Sequence, residues 1–231
     1  MKRIFSVVVL SLICSANIFS QDLYEMKQAI DFFHSAKLTE GDWRAALTEA
    51  DIKGSPYLND EFIEGSIFTT SKNQFINVPV RYNIFSDQIE FRTGDGTIQA
   101  LAAPEAIEKI EYGDYRLEYI PYLLGGKIKR GFFVILEKGK ATLYSRPQIL
   151  FEPAKEPGAY SDAQPPKFIK RPDEYYIRAG MEPAKVIMKS RDIPKVLPDH
   201  QEQVEAFIKE HKIKSNRGDD LGKLVKYYNS L

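Results

Sequence analysis

The chain has 231 residues, with 32 basic and 32 acidic side chains, three histidines and one cysteine. Balanced charge excludes the broad basic footprint of a nucleic-acid binder. With Cys14 as the only cysteine, a disulfide framework and a thiolate metal site are excluded too, so the fold must rest on a hydrophobic core of one or two domains.

The chain opens "MKRIFSVVVLSLICSANIFSQD". A basic start at Lys2 and Arg3, an apolar run from Ile4 to Cys14 and the small Ser20 make the order of a secretory signal peptide, residues 1–20, cleaved between Ser20 and Gln21. The apolar run is too short to span a bilayer as a helix. Lipidation at Cys14 is the rival, disfavoured by the bulky Ile13. The expectation is export, to the periplasm, the cell surface or the medium, with no transmembrane span in the mature chain.

Residues 21–50 read as an N-terminal helical segment. Leu23, Met26, Ile30 and Phe33 recur at helical spacing, as do Trp43, Ala46, Leu47 and Ala50 after a possible cap at Asp42. Trp43 is read as a packing anchor in preference to a sugar-stacking platform.

From 51 to 151 the period shortens. "FIEGSIFTT", "QFINVPVRYNI", "QIEFRT", "TIQAL", "AIEKIEY", "YRLEYIPY", "RGFFVIL" and "ATLYSRPQILFE" are separated by turn residues, with Asp95-Gly96 and Gly113-Asp114 as hairpin pairs. This is a β-rich body built as an antiparallel meander, either a sandwich or an open barrel. "EPAKEPGAYSDAQPP", 152–166, is a Pro-rich linker or a strap over the sheet. Residues 167–231 add one more hairpin and then helices. Asp199 with Glu202 predicts a capping box before Val204, Phe207, Ile208 and His211, and Asp219 predicts a cap before Leu221, Leu224, Val225 and Tyr228. The fold class is α+β, with a C-terminal helical hairpin that must pack on the sheet.

The stretch "VPVRYNIFSDQIEF", 78–91, carries the sharpest candidate site. Folded about Ser86-Asp87, it sets Tyr82 opposite Phe91 and Arg81 opposite Arg92. Val80, Tyr82, Ile84, Ile89 and Phe91 then share a core face, and Arg81, Asn83, Glu90 and Arg92 share the other. Paired guanidinium forks suit an anion such as a carboxylate or phosphate. The plainer reading, that Glu90 and another carboxylate flank the arginines in a solvated charge cluster, is preferred. Tyr57, Asn59 and Asp60 in "GSPYLNDEF" form a second polar loop, read first as an Asx-turn with Tyr57 over the sheet edge. Arg81, Asn83, Arg92, Tyr57, Asn59 and Asp60 make up the candidate ligand-binding set.

No catalytic or metal-binding residue is assigned and no cofactor is implied. His200 and His211 are about 16 Å apart on one helix, too far to share a metal. No zinc-protease, nucleophile-elbow, phosphate-loop or dinucleotide motif occurs. Carboxylates such as Asp60 and Glu61 keep a glycan hydrolase open as an alternative. The "RGD" at 217–219 is more simply a turn and a helix start than an adhesion motif.

Three segments, "KGSPYLNDEF", "VPVRYNIFSDQIEF" and "DDLGKLVKYYNSL", resemble a family of uncharacterised exported proteins of Gram-negative bacteria, over about Asp51 to Leu231. The resemblance implies export and carries no activity or site residue. The sequence therefore predicts a non-enzymatic envelope or secreted protein that binds a ligand or protein partner. That partner would be another envelope protein or an anionic ligand, with no nucleic acid involved. The alternatives are a carboxylate-dependent glycan hydrolase and a structural subunit of an envelope assembly.

Overall fold

The structure, a computed structural model, describes residues 52–153 and 164–231. The signal peptide with its Ser20–Gln21 cleavage point, the helical segment 21–50, and residues 154–163 of the Pro-rich stretch lie outside the described residues.

Ten strands form one antiparallel sheet. They are β1 (Ile63–Thr69), β2 (Gln74–Asn83), β3 (Gln88–Arg92), β4 (Ile98–Ala100), β5 (Ile107–Tyr112), β6 (Tyr115–Leu124), β7 (Lys127–Glu137), β8 (Ala141–Glu152), β9 (Lys167–Ala179) and β10 (Lys185–Val186). Two helices, α1 (Gln201–Glu210) and α2 (Gly218–Ser230), close the chain. The spatial order, β10-β9-β8-β7-β6-β5-β1-β2-β3-β4, is two meanders spliced where β5 pairs with β1. The strand pattern is legible because tight turns separate residues of period two. Gly113, at φ 51°, occupies the left-handed region that the two-residue β5–β6 turn needs.

The sheet is not a sandwich of two sheets. It is a single sheet that curls. Ala184 lies beside Tyr122, with Leu123 N–H donating to the Ala184 carbonyl at 2.9 Å and Ala184 N–H to the Pro121 carbonyl at 2.9 Å. That seam brings the β9–β10 end back onto β6, along the edge that β5 leaves uncovered. A second seam joins Lys53 to Lys167 and Tyr57 to Asn83, so the segment before β1 runs between the starts of β9 and the end of β2.

Curling gives the central strands two buried faces. In β7 the run Gly131–Ile135 is wholly buried, as is Ala141–Ser145 of β8, the pattern of strands covered on both sides. One face carries Tyr122, Phe133, Ile135, Tyr144 and Tyr176 with Ala184, packed as edge-to-face aromatic pairs. The opposite face presents Ala141, Leu143 and Ile177 to Val204, Leu221, Leu224, Val225 and Tyr228 of the helices. The residues 152–166 connect the paired ends of two neighbouring strands, Glu152 opposite Lys167.

Three local expectations change. In the β2–β3 hairpin, Arg81 stands opposite Glu90, Tyr82 opposite Ile89 and Val80 opposite Phe91, two positions from the register read in the sequence. The turn is longer because Asp87, at φ 53°, sends its carboxylate to β7. A shift of two leaves the faces unchanged, and Val80, Tyr82, Ile84, Ile89 and Phe91 are all buried. The capping box at α1 does not form. His200 is the N-cap, in the left-handed region, without a side-chain cap, and Asp199 instead pairs with Lys140 at 3.1 Å. At α2, Arg217 is the N-cap and Asp219 lies in the first turn, while Asp220 accepts the Lys214 N–H at 3.2 Å.

Candidate functional site

Of the six residues singled out in the sequence, Tyr57, Asp60 and Asn83 gather around Arg81 and its partner Glu90. Its Nε and Nη2 both donate to Glu90 Oε2, at 2.9 and 2.8 Å. Nη2 also donates to the Tyr57 hydroxyl at 2.7 Å and Nη1 to the Asp60 carbonyl at 3.3 Å. The guanidinium carbon sits 3.6 Å from the Tyr57 ring centre and 4.4 Å from that of Phe62. Asn83 donates to Glu90 Oε1 at 3.1 Å and accepts the Ser86 N–H at 3.1 Å. Asn59 donates to the Glu61 carbonyl, a local turn contact.

This constellation is a lock. Arg81 and Glu90 side chains are only 13% and 15% exposed, because segment 53–62 lies across the face that the sequence reading left open to solvent. The fork that an anion would need is already filled by a carboxylate, a phenol and a carbonyl. Arg92 faces Ile98, not Arg81, and is exposed with its guanidinium 4.5 Å from the Phe62 ring. The proposed arginine pair does not exist.

A second polar cluster went unread in the sequence. Asp87 Oδ1 accepts the Tyr82 hydroxyl at 2.7 Å and the Phe132 N–H at 3.1 Å, while Oδ2 meets Arg146 Nη2 at 3.5 Å. Arg146 Nη1 donates to the Tyr122 hydroxyl at 2.8 Å. Pairing of β7 with β8 stops at Val134–Ser145, and Asp87 takes the Phe132 N–H that would otherwise lack a strand partner. Burial and the Asp87 carboxylate together hold the Tyr82 pKa well above its usual value. Burial works against the Arg146 charge, but Asp87 and the Tyr122, Tyr82 and Tyr176 phenols outweigh it and raise its pKa. All these groups satisfy one another, so the cluster fastens the hairpin turn to the curled sheet.

The open chemistry lies on the helix side. A cleft of about 440 Å³ is walled by the β9–β10 turn, the 3₁₀ segment Ser190–Lys195 and the end of α2. Its floor is apolar, with Ile177, Val196 and Tyr228, and three cations, Lys140, Lys185 and Lys195, border it with two acids, Glu182 and Asp199. Lys140 pairs with Asp199 at 3.1 Å and lies 5.2 Å from the Tyr228 ring centre. Lys195 meets Asp192 at 3.5 Å. Lys185 is half-buried and has no acidic partner among the described residues. It is held there by pairing with Ile177, which turns both side chains toward the helices.

The three lysines gave no signal in the sequence. They lie in "EKGK", "EPAK" and "IPK", near glycine or proline, and β8–β9 and β9–β10 pairing with the docked 3₁₀ segment brings their segments together. A wider groove on the other flank of α2 contains Arg217, Gly218 and Asp219. The tripeptide there is the first turn of a helix, with Gly218 pressed so close to Tyr175 that a Cβ would stand 3.0 Å from the ring. Ser145 in that groove donates to Asp173 at 2.6 Å.

Among the described residues, no three His, Cys, Asp or Glu side chains stand where they could hold a metal. No helix there is long and apolar enough to cross a membrane. No protein-family model matches the chain, and neither does a curated protein or a solved structure.

Proposed function

We propose that the protein is an exported, non-enzymatic binding protein of the bacterial envelope or surroundings, and that its cleft takes an anionic group carried on an apolar body. Lys185 carries this reading. Its partly buried side chain forms no ion pair among the described residues, so its charge is open to a ligand's anion, and the apolar floor next to it suits the rest of such a ligand. The N-terminal signal pattern and the resemblance of 51–231 to exported Gram-negative proteins support the compartment.

An amphiphilic anion, anilinonaphthalene sulfonate, tests the cleft through its fluorescence. Saturable binding to the native protein is expected, weakened at least tenfold in Lys185→Glu and unchanged in Arg92→Glu on β3, which does not line the cleft. Equal binding by all three proteins would remove the cleft from consideration. Export is checked separately, by N-terminal sequencing of the protein from its native host. A start at Gln21 supports it, and a lipidated Cys14 or an intact Met1 contradicts it.

A further inference from the structure

The tip of the β6–β7 hairpin has a chemistry unlike the rest of the surface. The last rung, Leu124 opposite Lys127, lies beyond the final seam contact at Leu123, which stands opposite Ile128. Every residue from Leu124 to Arg130 is exposed. Gly125 and Gly126 both adopt positive φ, 58° and 75°, so the two strands turn in two residues and the tip is short. On it stand two large aliphatics, Leu124 at 42% and Ile128 at 65% exposure. Around them are Lys127, Lys129 and Arg130, and no acid.

A lone exposed leucine needs no explanation. The combination does. The chain as a whole balances 32 cations against 32 anions, yet this tip is purely cationic. None of its three cations has an ion-pair partner among the described residues; Arg130 lies 5.6 Å from the Tyr119 ring centre. Aliphatic side chains ringed by unpaired cations complement a surface whose apolar interior lies beneath a negatively charged rim. We infer that the β6–β7 tip docks the protein, tip first, on the surface of a bilayer containing anionic lipid. Leu124 and Ile128 enter the headgroup region, and Lys127, Lys129 and Arg130 meet the lipid phosphates. Tip-first entry does not require the five side chains to share one face of the hairpin, because the two-residue turn gathers them at one end of it. The charge of the tip selects the lipid surface over an apolar protein groove, which would leave the three cations unanswered.

The test is co-sedimentation of the mature protein with vesicles of phosphatidylglycerol mixed into phosphatidylcholine, against vesicles of phosphatidylcholine alone. Binding is expected only with the anionic vesicles and should fall steeply as salt is raised. The double variant Leu124→Ser, Ile128→Ser should weaken it at least tenfold, and Lys127→Glu with Lys129→Glu should abolish it, both with melting temperatures close to that of the native protein. Lys185→Glu should sediment like the native protein, which separates the tip from the helix-side cleft. Indifference to phosphatidylglycerol, or tip variants that bind as well as the native protein, would overturn the inference. So would loss of binding in Lys185→Glu alone, which would assign the lipid phosphate to the cleft.

Discussion

Arg81 shows how far a single residue departs from its sequence-level reading. On an uncovered sheet face its removal would be nearly neutral for folding. In the structure it is stacked between Tyr57 and Phe62 and holds Glu90, which would be left half-buried with only Asn83. Arg81→Ala is expected to destabilise the protein by about 3 kcal/mol in urea unfolding. Arg92→Ala, which gives up one exposed ring contact, should cost under about 1 kcal/mol. Equal effects from the two would mean that segment 53–62 does not cover this face in solution. Tyr82→Ala, removing a buried ring that packs edge-on to Phe132, should cost about 3–5 kcal/mol. The face of each of these residues was legible from alternation alone. Their partners were not, because Tyr57 reaches Arg81 from a segment that carries no strand pattern of its own, and Phe62 from just ahead of β1.

Among the elements, the helices depend on the sheet. Leu224 is fully buried against Leu143 and Ile177, while Phe207 is half-buried, stacked on Tyr227 at 4.4 Å between ring centres. Leu224→Ala should therefore cost about 2–5 kcal/mol, and Phe207→Ala should fall at or below the lower end of that range. Asn229 adds a directional tie. Its side chain accepts the Ala141 N–H at 2.8 Å and donates to the Ala141 carbonyl at 2.9 Å, fixing the end of α2 to the start of β8. Asn229→Asp keeps the acceptor and loses the donor. It should lower stability by about 1–3 kcal/mol, measured as a shift in denaturant midpoint at constant slope. Strands and helices were readable where their own periodicity defined them, down to β8 running from Ala141 to Glu152. The α1 cap and the β2–β3 turn were misread for one physical reason. Asp199 and Asp87 each had a local role to fill, and each was drawn to a distant partner, Lys140 and Phe132.

At the scale of the whole molecule, the two halves of the sheet share a dependence on neutral tyrosines. Burial, the largest cause in each case, raises the pKa of Tyr82, Tyr112 and Tyr144, and lifts Tyr176 to about 12. Carboxylates add to the rise at Tyr82, Tyr144 and Tyr176, through Asp87, Glu118 and Glu174. A folded-state pKa above the unfolded value stabilises the protein below the unfolded pKa, about 10 for tyrosine, and that contribution is lost as pH rises through the folded value. Stability should thus be flat toward neutral pH and fall on the alkaline side. Tyrosinate absorbance should show these four of the thirteen tyrosines ionising only as the fold is lost. Smooth titration of all thirteen near their ordinary pKa, with the fold intact, would contradict the buried aromatic packing. Alternation alone placed Tyr82 on the core face, but nothing in the sequence distinguished Tyr112, Tyr144 and Tyr176 from the rest.

The seam at Ala184 also sets an order of events in time. It joins positions roughly sixty residues apart, so its closure must overcome chain entropy that each neighbouring hairpin avoids. β6 to β9 can zip in sequence, turn by turn, but the ring around Tyr122, Phe133, Tyr144 and Tyr176 has no final wall until the β9–β10 turn has formed. In a chain that emerges N-terminus first, those rings stay wet through most of synthesis, and their shielding marks the late step of folding. A refolding experiment that follows tyrosine emission should therefore lag one that follows backbone circular dichroism. Replacing Ala184 with proline, which removes the N–H that binds the Pro121 carbonyl, should widen that lag.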